Sequence, residues 1–227
     1  MKKIFLMLLS GIAMISMTSC VTSLERLVTP DKITTDPRIT GNWLNDGEEF
    51  KIVPMQQSEL VKDLTRFLGK STFMTTGDDE KDSIFLSKTY IVSYERNDVQ
   101  YHMIAGLMKT GNNVFLDLFP VAMNDPKASE SNPYGFNNDY LSGYTIAKLE
   151  MKSNSSLTLK FIDASFITEN IKNGKMRVKH EMNELFGTFM ITASSTDLQK
   201  FVQKYGNDER IFSKESSVTL TRKPTHL

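Results

Sequence analysis

From Val99 to Phe161 apolar and polar residues alternate in short runs, and most of these runs end in residues that turn the backbone. A period of two puts every second side chain on one face, so each run can bury that face only as one strand of a sheet. Val99, Tyr101, Met103, Ala105 and Leu107 share a face, and Thr110-Gly111-Asn112-Asn113 follows as a tight turn. Val114, Leu116 and Leu118 resume the alternation up to Pro120. Tyr144–Lys152, the turn Ser153-Asn154-Ser155, and then Leu157, Leu159 and Phe161 repeat the arrangement. Upstream, Ser83–Glu95 is rich in β-formers and is expected to be a strand ending at the turn Arg96-Asn97-Asp98. Arg177–Met182, Leu185–Thr192 and a short Val218–Arg222 supply further strands. The fold class is therefore mainly β, an antiparallel meander that either leaves open edges or closes into a barrel.

About three short helices are expected to pack on this sheet. Thr196-Asp197-Leu198-Gln199 has the form of a capping box, Leu198, Phe201, Val202 and Tyr205 fall on one face, and Gly206 is a fitting stop. Ser58–Leu68 follows the same logic, with Gly69 after it, and Asp163–Lys172 is a shorter candidate. The polar stretch from Asn124 to Asp139 is long for a connection, and is either functional or mobile.

The N-terminus carries the address. Lys2 and Lys3 precede an apolar run, Ile4 to Met17, too short to span a bilayer comfortably. Thr18-Ser19-Cys20 follows, with the single cysteine of the chain. Met17-Thr18-Ser19-Cys20 resembles the lipobox of bacterial lipoproteins. The resemblance implies a signal peptide over 1–19, cleavage before Cys20, acylation of that residue with palmitate-like chains, and a tether over 20–40. Two or three acyl chains, at roughly 0.8 kcal/mol per buried methylene, would hold a protein on a membrane where one chain is marginal. Val21 in place of Asp implies, by the sorting rule of such lipoproteins, the outer membrane rather than the inner. An ordinary signal peptide or an uncleaved anchor helix is the alternative.

From Gly41 to Arg222 the composition is that of one globular domain, with 223–227 as a tail. Gly41-Asn42-Trp43 opens it, and Val218-Thr219-Leu220-Thr221-Arg222 stands near its end. This G-x-W with a late arginine resembles the lipocalin and wider calycin pattern, in which the guanidinium covers the indole at the closed end of a barrel. The resemblance implies a lipocalin-like barrel around an apolar cavity open at one end, with Gly41, Trp43 and Arg222 as its structural motif. A tryptophan in the core of another β fold is the competing reading. The mature chain also resembles small envelope lipoproteins that end in a helix, here Thr196–Phe201, and a strand finishing in arginine; that resemblance implies no activity.

Charge and motifs narrow the function. The whole chain has 27 basic and 27 acidic residues, and loss of Lys2 and Lys3 with the leader leaves a slight acidic excess. That argues against nucleic acid and against a polybasic hold on lipid. His102, His180 and His226 are isolated, and no paired-cysteine or paired-histidine motif occurs, so no metal is expected. Gly77-Asp78-Asp79-Glu80-Lys81-Asp82 is read as a solvated acidic turn. With no nucleophile elbow and no phosphate loop, neither catalysis nor a cofactor is expected. Carboxylates at Glu48-Glu49 point to opposite faces of a strand. Asp82-Ser83-Ile84 resembles a short O-glycosylation signal of some Gram-negative envelopes, which makes Ser83 a candidate for modification. The expectation is a membrane-anchored lipoprotein that holds a small apolar or amphipathic ligand in its barrel; the alternative is a non-enzymatic interaction or structural subunit of an envelope assembly.

Overall fold

The structure is a computed structural model in which residues 21–60, 79–124, 143–183 and 188–224 are described. Eight antiparallel strands form a closed barrel. In chain order the strands of the molecule are β1 (Thr22–Ser23), β2 (Ile33–Thr34), β3 (Gly41–Asn45), β4 (Glu48–Pro54), β5 (Tyr90–Arg96), β6 (Val99–Thr110), β7 (Asn113–Asn124), β8 (Tyr144–Ser153), β9 (Ser156–Ile162), β10 (His180–Asn183), β11 (Thr188–Ile191) and β12 (Phe212–Arg222). Strands β3 to β9 run as a meander, and β12 closes it by pairing with β9 on one side and β3 on the other. Closure leaves no free edge around the barrel, the liability that an open meander would carry.

Pro120 interrupts a central strand, where a missing N–H should break the ladder. The register between β6 and β7 shifts at that place: His102 faces Ala122 and Met103 faces Pro120, so Val121 is the extra residue. A bulge is where a central strand can take a proline. Inward of it lie Met103, Ala105, Leu107, Leu116 and Leu118; outward lie Ile104, Phe115, Asp117 and Val121.

The outward face is buried too. Helices α1 (Asp79–Ser87), α2 (Ala164–Lys172) and α3 (Ser195–Tyr205) accompany the barrel, and Phe85, Ile167, Leu198, Phe201 and Val202 from them join an outer core with Phe115, Ile146 and Phe212. Asp163 caps α2 by accepting from the Phe166 N–H. The α3 cap is Ser194, whose hydroxyl accepts from the Asp197 N–H, so the expected cap at Thr196 is displaced by two residues. Gln199 donates instead to the Leu27 carbonyl and the Thr29 hydroxyl. Gly206 ends α3 with right-handed φ of −64°; glycine is needed there for space, because a Cβ would stand 2.5 Å from the Phe115 ring.

Several expectations change. Ser83–Glu95 is not one strand: its first part is α1 and only Tyr90–Arg96 is extended. Helical spacing puts Asp82, Phe85 and Leu86 on one face, and burial of Phe85, with Leu86 packed against the same core, outweighs the β propensity of Ile84-Phe85. Residues 79–82 are accordingly the first turn of that helix, with Asp82 buried, rather than a solvated turn. The terminal strand begins at Phe212, well before Val218. Residues 21–40, expected to be a tether, are docked: β1 lies between β8 and β11, β2 pairs with β6, and Val21, Leu27, Val28, Ile33 and Ile39 are buried. Cys20, the apolar leader, most of the helix expected at 58–68, the Asn124–Asp139 stretch beyond β7 and His226 lie outside the described residues.

Candidate ligand cavity

The closed end of the barrel is built from the first and last strands. Gly41 begins β3 with φ of +129°, a conformation open to glycine, and Arg222 Nη1 approaches so closely that a Cβ there would meet it at 2.5 Å. The Arg222 guanidinium lies 4.3 Å from the centre of the Trp43 ring. Its three nitrogens donate to the carbonyls of Asn154, Thr40 and Arg38 at 2.7, 2.9 and 2.6 Å. Trp43 is fully buried, and its indole N–H donates to the Ile39 carbonyl at 2.8 Å. Gly41, Trp43 and Arg222 thus come together across the full length of the domain. Cation over ring contributes about 0.5–2 kcal/mol, and the three carbonyls fix the planar fork in place.

Above this floor the barrel holds a cavity of about 760 Å³. Its walls are apolar, with Ile52, Leu107, Leu116, Leu149, Leu157 and Leu220 among the lining residues. The volume lies within the roughly 300–1,000 Å³ of small-molecule sites. Polar groups gather at the other end, around the β3–β4 and β5–β6 turns: Asn45, Asp46, Glu48 and Arg96 border the opening. Arg96 Nε stands 3.2 Å from a Glu48 carboxylate oxygen. Phe50, Tyr94 and Tyr101 stack across three strands just inside, with ring centres 5.2 and 4.9 Å apart. Burial raises the Tyr94 phenol above its ordinary range, so it stays neutral at physiological pH. Thr22 of β1, Gly143, Thr145 of β8 and Met190 of β11 line the same cavity, where β8 has parted from β9 and taken β1 as its neighbour.

Sequence patterning identifies the apolar walls, because alternation alone decides which residues face inward. It does not reveal Asp117, an outward residue of β7 that looks like ordinary surface polarity. Asp117 is buried, and its Oδ2 accepts from the backbone N–H groups of both Leu27 and Val28 at 2.8 Å. Burial pushes its carboxyl up to about 6, against the opposing pull of those amides and of Arg26. A carboxylate in a run of apolar wall residues is the one signal for it.

The remaining candidates fall elsewhere. His102 contacts Ser93 Oγ through Nδ1 at 2.8 Å, with its basicity lowered by burial, but the pair faces away from the cavity and no carboxylate contacts it among the described residues. His180 Nδ1 donates to the Val178 carbonyl at 2.8 Å, and its ring stacks on Phe189 of the outer core. Among the described residues no three His, Cys, Asp or Glu side chains converge as metal ligands. Ser83 is exposed on α1, whereas the adjoining Asp82 is buried. Compared with protein-family models, with curated proteins and with solved structures, the chain matches none of them.

Proposed function

We propose that the protein is an envelope lipoprotein, anchored through acyl chains on Cys20, whose barrel takes up a small apolar or amphipathic molecule. One observation carries the binding part: an apolar cavity of about 760 Å³, closed at one end and bordered by polar groups at the other. Such a chamber holds a hydrocarbon body inside and leaves a polar head at the rim beside Arg96 and Glu48. Among the described lining residues the charged ones, Asp46, Glu48 and Arg96, stand at the rim, so a ligand with charge buried in its body is disfavoured. The lipobox over Met17–Cys20 supports the anchor.

Ala105 is a small residue of the lining and tests the cavity directly. Nile red is expected to fluoresce on binding the purified protein and to lose that signal with Ala105→Trp, which fills the chamber. Circular dichroism would show that the variant is folded. Unchanged Nile red binding by a folded Ala105→Trp protein would overturn the reading.

A second reading, an interaction subunit, has its own observation. A groove of about 810 Å³ between residues 174–180 and α3 is bordered by Lys175, Arg177, Lys179, Lys200 and Lys204, with Asp197 the one acid among the described residues that line it. An acidic protein partner would fit it. Charge reversal at Lys175 and Lys179 is expected to abolish such an association without altering Nile red binding.

A further inference from the structure

We infer that the face of the barrel carrying Leu24, Arg26 and the adjoining helix α1 lies against the bilayer, with the cavity mouth opening beside it. The inference rests on lipid anchoring at Cys20. It adds which face of the molecule meets the membrane.

The chain leaves no slack between the anchor and the barrel. Val21 and Ser23 are buried, Thr22 pairs with Thr145 and Met190, and Leu24 N–H donates to the Ile191 carbonyl at 2.9 Å. Leu27 and Val28 are then clamped on Asp117. At no more than about 3.6 Å per residue, two residues of chain reach roughly 7 Å at most, so an anchor at position 20 can be no farther than that from Thr22, which lines the cavity. Acyl chains on Cys20 therefore bring this part of the rim to the lipid surface, where a looser tether would allow any orientation.

Exposed side chains mark the same place. Leu24 and Ile84 are the two large apolar residues exposed among the described residues, at 40% and 48%. Single exposed leucines are commonplace. Both are linked to one arginine: Leu24 is two residues from Arg26 along the chain, and Ile84 follows on the exposed side of the helix whose Phe85 ring centre lies 5.0 Å from the Arg26 guanidinium. Arg26 also donates to the Tyr144 hydroxyl at 3.0 Å, at the mouth end of β8. Tyrosine and arginine, each with an apolar body and a polar tip, suit the boundary between headgroups and water. Glu25, exposed between them, fits a zwitterionic surface better than an anionic one.

The test uses the full, acylated chain reconstituted in phosphatidylcholine vesicles. With Cys20 acylated, one introduced thiol is the only site for a fluorophore. Labels at Leu24→Cys and Ile84→Cys are compared with labels at Asn112→Cys and Asn154→Cys, in turns at the closed end. Spin-labelled phosphatidylcholine is expected to quench the first pair severalfold more than the second. Equal quenching, or stronger quenching at 112 and 154, in protein that floats with the vesicles would overturn the orientation alone. Protein that is not acylated and does not float would remove the anchor and the inference with it.

Discussion

Asp117 shows how a buried carboxylate is kept when backbone amides are set on it, and what that costs. The two N–H groups and Arg26 favour its charge, yet burial wins and the carboxyl titrates at about 6 rather than 3.8. Between about pH 4 and 6 the folded protein therefore holds a proton that the unfolded chain has released, and stability from this group rises as the pH falls through that window. The penalty above pH 6 is on the order of 3 kcal/mol. Asp117→Asn keeps an oxygen for Leu27 and Val28 but cannot ionise, and it is expected to remove this part of the pH dependence. Urea midpoints on either side of the window check it; a pH profile unchanged from the parent protein would refute the assignment. Asp117→Ala instead leaves two buried N–H groups unpaired, at about 1–3 kcal/mol each. Arg222→Lys makes a different point. One ammonium cannot lie flat over Trp43 and also serve three carbonyls, so a loss of about 1–3 kcal/mol in urea unfolding is expected, against less than about 0.5 kcal/mol for an ordinary surface exchange.

Among the elements, α3 is the sharpest case of a helix legible from its residues but not in its detail. Its buried stripe of Leu198, Phe201 and Val202 follows from spacing, and Leu198→Ala is expected to cost about 2–5 kcal/mol in thermal or urea unfolding. The capping box at Thr196 is the natural expectation, yet the chain leaving β11 places the Ser194 hydroxyl on the Asp197 N–H and sends Gln199 to the N-terminal segment. Ser194→Ala should thus cost about 1 kcal/mol and Thr196→Ala close to nothing; the reverse order would restore the expected cap. The same limit explains α1. Local propensity in Ser83–Glu95 favours a strand, and only the position of the outer core decides that Phe85 must be presented from a helix. Barrel strands with strict alternation could be read because one face is buried in any arrangement. The docking of 21–40 could not, because Val21, Leu27 and Val28 sit among Thr, Pro and Asp with no period, and their burial depends on β8, β11 and Asp117 far along the chain.

For the whole molecule, alternation implied an antiparallel meander, and the resemblance carried by a G-x-W with a late arginine implied that it closes and which end is shut. The size of the chamber was not legible, since volume depends on how far opposing side chains reach. Cys20→Ala is expected to release the protein from membranes into the soluble fraction with Nile red binding intact; persistent membrane attachment would sink the anchor. The seam where β8 exchanges β9 for β1 has a temporal consequence as well. The first staves to be synthesised are the last that can be set, because Thr22 and Ser23 wait for partners at Thr145 and Met190. Contacts so distant in sequence form late. A nascent chain consequently leaves Thr22 and Ser23 without their strand partners until the vessel behind them is nearly whole.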